Sequence, residues 1–169
     1  KGAWVAVRQT VKGMRTAERV PDILRQALAG LPIAKRMRWG DGTAEFVRPV
    51  HWVVLLFGDE VIEADILGIP TGRTSRGHRF HGQGSITLAS PADYAATLER
   101  DGRVLADFAT RQRKVRALAE AAAASVNGRA VIDDDLLDEV TALVEWPVPV
   151  LGGIEARYLE LPAEVLITT

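Results

Sequence analysis

The residue types that could do chemistry are concentrated in one stretch, Gly68–Gly84, which reads GIPTGRTSRGHRFHGQG. It holds Arg73, Arg76 and Arg79, with two of the chain's three histidines, His78 and His81. No acidic residue occurs between Asp65 and Asp93, although the whole chain carries a formal net charge of −1. Guanidinium forks without carboxylates beside them suit an anion, and phosphate is the first candidate. Five glycines and a proline make the stretch a poor helix and a poor central strand. It therefore reads as a long cationic loop leaving a sheet. His78 lies between Arg76 and Arg79 and joins them as a candidate contact.

A second basic strip, Lys35-Arg36-Met37-Arg38-Trp39, adds Lys35, Arg36 and Arg38 to the candidate phosphate contacts, with Trp39 alongside as a stacking surface. The run Arg111, Arg113, Lys114 and Arg116 lies on a helical pattern and reads as a solvated face. For the loop arginines the competing reading is structural, with ion pairs to Glu63, Asp65 or Glu145. Phe80, an apolar residue within the loop, points to a second half that packs down.

Other chemistries fail on the residues available. There is no cysteine, so disulfides, thiolate metal sites and a cysteine nucleophile are excluded. His78 and His81 supply two metal ligands at most and flank a cation. Ser75 lies near His78, but there is no Gly-x-Ser-x-Gly elbow. Gly72–Gly77 is only loosely like a phosphate loop and lacks its lysine, and no Gly-x-Gly-x-x-Gly follows a strand. No catalytic residue and no metal ligand is assigned. A near-neutral chain argues against a general nucleic-acid coat, so any such contact is local.

The elements that must position these residues change character along the chain. Ala3–Val11 is β-prone, with Val5, Val7 and Val11 on one face. Thr16 is placed to cap a helix with Pro21 in its first turn and a stripe of Val20, Ile23, Leu24, Ala27, Leu28 and Leu31. Strands follow at Ala44–Val47, His51–Phe57 and Val61–Leu67, with Gly58-Asp59 as a hairpin turn and Ser85–Leu88 as one more short strand. His51–Phe57 is nearly all apolar, so both faces are expected to be covered. Ser90-Pro91 starts a helix that Asp101-Gly102 ends, and a long helix runs to about Val126 before Asn127-Gly128. Asp133–Asp135 open an amphipathic helix with Leu136, Leu137, Val140, Leu143 and Val144 as its stripe, and Pro147 and Pro149 end it. A last turn or helix falls at Pro162–Leu166. Trp4, Trp52 and Trp146 sit in apolar contexts and read as core.

The fold class read from this order is α+β, a mixed and largely antiparallel sheet packed with helices and a helical second half. At 169 residues one domain, 1–169, is expected, with strand-rich 1–90 and helix-rich 91–169 as subdomains. No signal peptide and no membrane-spanning apolar run is present. Both ends read as cuts in a larger protein.

Several blocks resemble a known family. They are Leu31-Pro32-Ile33 with Lys35, Met37-Arg38-Trp39-Gly40, then Phe46-Val47-Arg48-Pro49-Val50-His51, and Ile66-Leu67-Gly68-Ile69 leading to Arg76-Gly77-His78-Arg79-Phe80. Leu143-Val144-Glu145-Trp146-Pro147-Val148 and Leu161-Pro162-Ala163-Glu164 continue the series. In order and together they resemble the β subunit of bacterial glycyl-tRNA synthetase. The resemblance implies a cytoplasmic α2β2 heterotetramer that joins glycine to tRNA(Gly) with ATP and Mg, the nucleotide being used in the α subunit. It implies no cofactor in this segment, the α subunit and tRNA as partners, and no membrane contact. The family's anticodon-binding domain is expected beyond Thr169. Two alternatives follow for this segment: a protein–protein scaffold without tRNA contact, and an editing-type hydrolytic domain. Editing is needed where a pocket cannot reject a smaller competitor, and glycine has none.

Overall fold

The computed structural model describes residues 3–168, the side chain of Thr168 excepted. The strand-rich half is built from short ladders that hand the chain from one partner to the next. Strands β1 (Met37–Arg38) and β2 (Glu45–Phe46) form an antiparallel hairpin. After it, β3 (Val53–Val54) leads into β4 (Leu56–Phe57), which turns at Gly58-Asp59 into β5 (Glu60–Val61). Gly58 has φ +58°, the left-handed conformation that such a two-residue turn requires. Next come β6 (Asp65–Ile66) and β7 (Ile69–Gly72), then β8 (Thr74–Arg76), which pairs antiparallel with β9 (Ser85–Thr87). The central three-stranded order is β3-β7-β6, with β3 and β7 parallel. This is the expected α+β class with largely antiparallel pairing.

The buried core is small. Ile86, Leu88 and Leu98 form its centre, packed by Val54, Leu56, Val104 and Ala106, while Ile62 and Ile66 are buried along the alternating face that the pattern Ile62, Ala64, Ile66 predicts. Ser90 caps a 3₁₀ turn, Pro91–Asp93, by accepting from Ala92 N–H. It continues into α2 (Tyr94–Thr97) and a π-turn, Leu98–Gly102, after which Arg103 takes a left-handed φ of 53°.

The helical half is α3 (Phe108–Ala124) against α4 (Asp134–Leu143). Asp107 and Asp133 cap them, accepting from Thr110 N–H and Leu136 N–H. Gln112 bonds Asp138, and Arg116 pairs with Asp134 at 2.5 Å. The joint to the strand-rich half is Leu105 N–H donating to Glu145 O, with the Arg111 guanidinium donating to the carbonyls of Leu105 and Thr141. The N-terminal α1 (Thr16–Gly30) lies against β6, held by Arg25, which donates to Asp65 O. A 3₁₀ turn, Ala156–Glu160, and α5 (Ala163–Thr168) close the described chain.

Several expectations are corrected. Ala3–Val11 is not a strand: it is extended without a ladder partner, and Trp4 is 93% exposed. Alternation can mark a strand, but only a second strand can take up its backbone groups. Thr16 is the first helical residue rather than the cap, and Pro21 lies in the second turn. His51–Phe57 is broken at Leu55, whose N–H donates to Gly72 O while its carbonyl accepts from Ile62 N–H, so the chain changes partners there. Phe57 is 52% exposed, not covered. Leu136 and Leu143 are exposed; the packed stripe of α4 is Leu137, Val140, Thr141 and Val144.

The largest correction concerns the cationic stretch. Its first half is largely strand, β7 and β8, and residues 77–84 form a turn. Pro70 is tolerated because β7 pairs with β6 through Ile69–Pro70 and with β3 through Thr71–Gly72. Pro70 thus has a ladder partner on one side only, and no second ladder to supply.

Candidate functional site

The turn between β8 and β9 is fixed by backbone contact. Gly77 N–H donates to Gly84 O at 3.0 Å, and Gly82 N–H donates to His78 O at 2.8 Å. His78 N–H donates to Gly102 O at 2.6 Å, tying the turn to the end of the π-turn. A Cβ on Gly77 would stand 2.7 Å from Gly102 Cα and O, and one on Gly82 would stand 2.8 Å from Gly102 O. Only glycine permits this approach. The turn does pack down, as expected, but through its glycines: Phe80 itself is 84% exposed.

The three loop arginines separate into two kinds. Arg73 is half-buried and spends its guanidinium on backbone carbonyls, donating to Asp59 O at 2.7 Å, Leu88 O at 3.2 Å and Ala89 O at 3.3 Å. It staples the β4–β5 turn to the exit of β9. Arg76 and Arg79 are exposed, and neither is ion-paired among the described residues. The pairings with Glu63, Asp65 or Glu145 are not formed. Arg76 lies over the indole of Trp52 at 5.7 Å, a cation–π contact, and His51 stacks beside that indole with centroids 6.4 Å apart.

His78 is oriented by its own turn. Its Nδ1 accepts from the backbone N–H groups of Phe80 at 3.1 Å and His81 at 3.2 Å. A nitrogen that accepts two hydrogen bonds carries no proton, so the ring proton sits on Nε2 and points away from the turn as a donor. The rings of His81 and Phe80 flank it at 4.6 and 6.1 Å. His51, Trp52 and His78 line one open cleft of about 460 Å³, together with Arg76 and Arg79. No residue lining it bears a carboxylate. Asp101, next in sequence to the clamped Gly102, is engaged by Arg100 at 2.7 Å, which holds its carboxyl below the usual range and raises the guanidinium.

The second basic strip divides in the same way. Arg36 Nη2 donates to the carbonyls of Leu28, Ala29 and Leu31, satisfying the open end of α1. Lys35, just before the β1–β2 hairpin, and Arg38, on it, are exposed and are not brought into the cleft. On α3, Lys114 sits 4.2 Å over Trp146 and Arg113 donates to Thr110, so that face is structurally employed. Trp146 is half-buried under Lys114 and Arg103. Residue pattern alone did not reveal His51 and Trp52 as cleft walls, Gly102 as a packing partner, or Arg25 as the anchor of α1. Only the adjacency of two aromatic rings ahead of an apolar strand marked the first pair. Among the described residues no three His, Asp or Glu side chains gather as a metal site needs, and no helix is long and apolar enough to cross a membrane.

Comparison with known proteins places this chain in a family. A family model described as glycyl-tRNA synthetase beta subunit matches residues 1–169. Relatives named as glycine–tRNA ligase beta subunits include those of Marinobacter nauticus, 53% identical over 170 residues, Hahella chejuensis, 48% over 169, and Vibrio parahaemolyticus, 47% over 169. All of this chain is covered in each, but only 24%, 24% and 25% of the relative, so the chain spans about a quarter of their length. With the family model and these relatives both matching along its whole length, the chain belongs to the glycyl-tRNA synthetase β-subunit family.

Proposed function

We propose that this segment serves glycine–tRNA ligase by contacting tRNA and by helping the β subunit assemble with the catalytic α subunit. In this reading the α2β2 enzyme works in the cytoplasm, ATP with Mg and glycine are handled by the α subunit, and this segment carries no catalytic residue. The observation that carries the tRNA reading is the pair Arg76 and Arg79. Both are exposed and both lack a carboxylate partner among the described residues; Arg76 ends β8 and Arg79 stands on the turn that follows, where Gly77 and Gly82 pack against Gly102. A guanidinium held out this way and left unpaired suits a phosphate. His78 Nε2–H adds a neutral donor beside them. Arg38 on a separate hairpin and Lys35 just before it are secondary contacts. Arg73 and Arg36 belong to the fold, since backbone carbonyls occupy them.

Assembly is favoured by a different observation. The segment after Pro149 exposes Val150, Ile154, Leu159 and Ile167, at 88%, 67%, 67% and 80%. Apolar surface of this extent marks an interface.

The test is tRNA(Gly) binding by the complete α2β2 enzyme carrying Arg76→Gln and Arg79→Gln. Affinity should fall, and the slope of log affinity against log salt should decrease by about 1 for each phosphate no longer neutralised. Unchanged affinity together with an unchanged slope defeats the phosphate role. A complex that falls apart on sizing, with tRNA affinity of the residual tetramer intact, assigns the turn to assembly instead.

A further inference from the structure

We infer that the cleft lined by Trp52 and His78 is a slot for a single unpaired nucleotide, with its base among the rings and its phosphate on Arg76 and Arg79. The inference rests on the tRNA reading above and adds what part of a nucleic acid the site takes. Two arginines alone would suit any phosphate, including those of a duplex. The cleft holds more than charge. Its walls are an indole and two imidazoles, its volume of about 460 Å³ is that of a small-ligand pocket, and no carboxylate lines it. Flat rings beside cations are the chemistry with which proteins hold unpaired bases, because every base has a face to stack and a duplex hides it.

The donor set fits the same ligand. His78 is held as its Nε2–H tautomer by the two backbone N–H groups on Nδ1, so it offers a neutral donor to a base or ribose oxygen. Arg76 is already laid on Trp52 at 5.7 Å, which fixes its guanidinium at the mouth instead of leaving it to sweep the solvent. The turn that carries His78 and Arg79 is clamped to Gly102 with no room for a methyl group. A site with fixed walls loses less side-chain freedom when a ligand arrives. An acidic peptide would satisfy the arginines but leave the rings without a partner.

The nucleotide could be a unit of single-stranded RNA or a free mononucleotide, and the experiment separates them. The complete enzyme is titrated with labelled tRNA(Gly), and three competitors are added in turn: a short single-stranded oligoribonucleotide, its abasic counterpart, and AMP. The oligoribonucleotide should displace tRNA and the abasic strand should do so about tenfold less well, the scale of one stacked base. Trp52→Leu should remove that difference and Trp52→Phe should restore it, which a merely misfolded variant would not do. AMP matching the oligoribonucleotide upholds the slot and assigns it to free nucleotide; AMP without effect upholds it and assigns it to RNA. Equal competition by the intact and abasic strands overturns the slot. If Arg76→Gln still weakens tRNA binding in that case, the phosphate role stands without it; if tRNA binding ignores Arg76 and Arg79 altogether, the underlying reading fails as well.

Discussion

Arg73 and Arg76 are three residues apart and have the same chemistry, yet they do different work. Arg73 satisfies three carbonyls and Arg76 satisfies none among the described residues. Arg73→Ala should therefore loosen the fold by about 1.5–3 kcal/mol, the range for hydrogen bonds to a charged group. The readout is faster hydrogen exchange at the β8–β9 amides, with Leu88 among them, in the full-length subunit. Arg76→Gln should leave that exchange unchanged and lower tRNA affinity. Gly77→Ala would force a methyl to within 2.7 Å of the Gly102 backbone, where no side chain can move aside. It should cost on the order of 1–3 kcal/mol, as overpacking does, and show as exchange across both the turn and the π-turn.

At the scale of elements, α3 is anchored by its cap. The Asp107 carboxyl is held below its usual range, first by the hydrogen bond with Thr110 and more weakly by Arg113 and Arg111. A depressed folded value means that the contribution is complete above the unfolded carboxylate range and fades as pH falls through the lower, folded value. Exchange in the first turn of α3 should rise as the solution is acidified through that window. Asp107→Asn, itself a good cap, should flatten the dependence without fraying the helix at neutral pH. The joint below is Arg111, whose guanidinium holds Leu105 of the connecting segment to Thr141 of α4. A positively charged helix face that reads as solvated surface is in fact partly spent inside the molecule, because carbonyls at a junction need donors as much as solvent needs charge.

The whole molecule exposes 13428 Å². A self-contained monomer of 18.4 kDa exposes roughly 8000 Å². The excess lies in the extended stretches, where Trp4, Val5 and Val7 at one end and Val150 and Ile154 at the other meet only solvent. The relatives it matches are about four times as long. Limited proteolysis should cut residues 3–15 and 148–162 rapidly when residues 1–169 are expressed alone, and, on the proposed assembly role, these sites should be protected in the complete enzyme. Equal cutting in both would mean that the exposed apolar surface is not an interface.

Local pattern by itself indicated the class of fold, the approximate places of the helices, the hairpin at Gly58-Asp59 and the buried alternation of Ile62 and Ile66, and the ordered motif blocks carried the resemblance to the family. Those features depend on neighbours in sequence: capping residues, turn glycines, periodicity and ordered motif blocks. Sequence also picked out the acid-free arginine stretch, because missing carboxylates are visible without coordinates. It could not sort Arg73 from Arg76 or Arg36 from Arg38, since the carbonyls that claim Arg73 come from residues 59, 88 and 89. Nor could it show that Trp52 and His78 line one cleft, or that Gly77 rests on Gly102, for each pair lies 25 or more residues apart along the chain and comes together only when the ladders close. The arginine stretch was legible as a cation-rich segment. Tertiary packing alone decided which of its cations are free to meet a ligand.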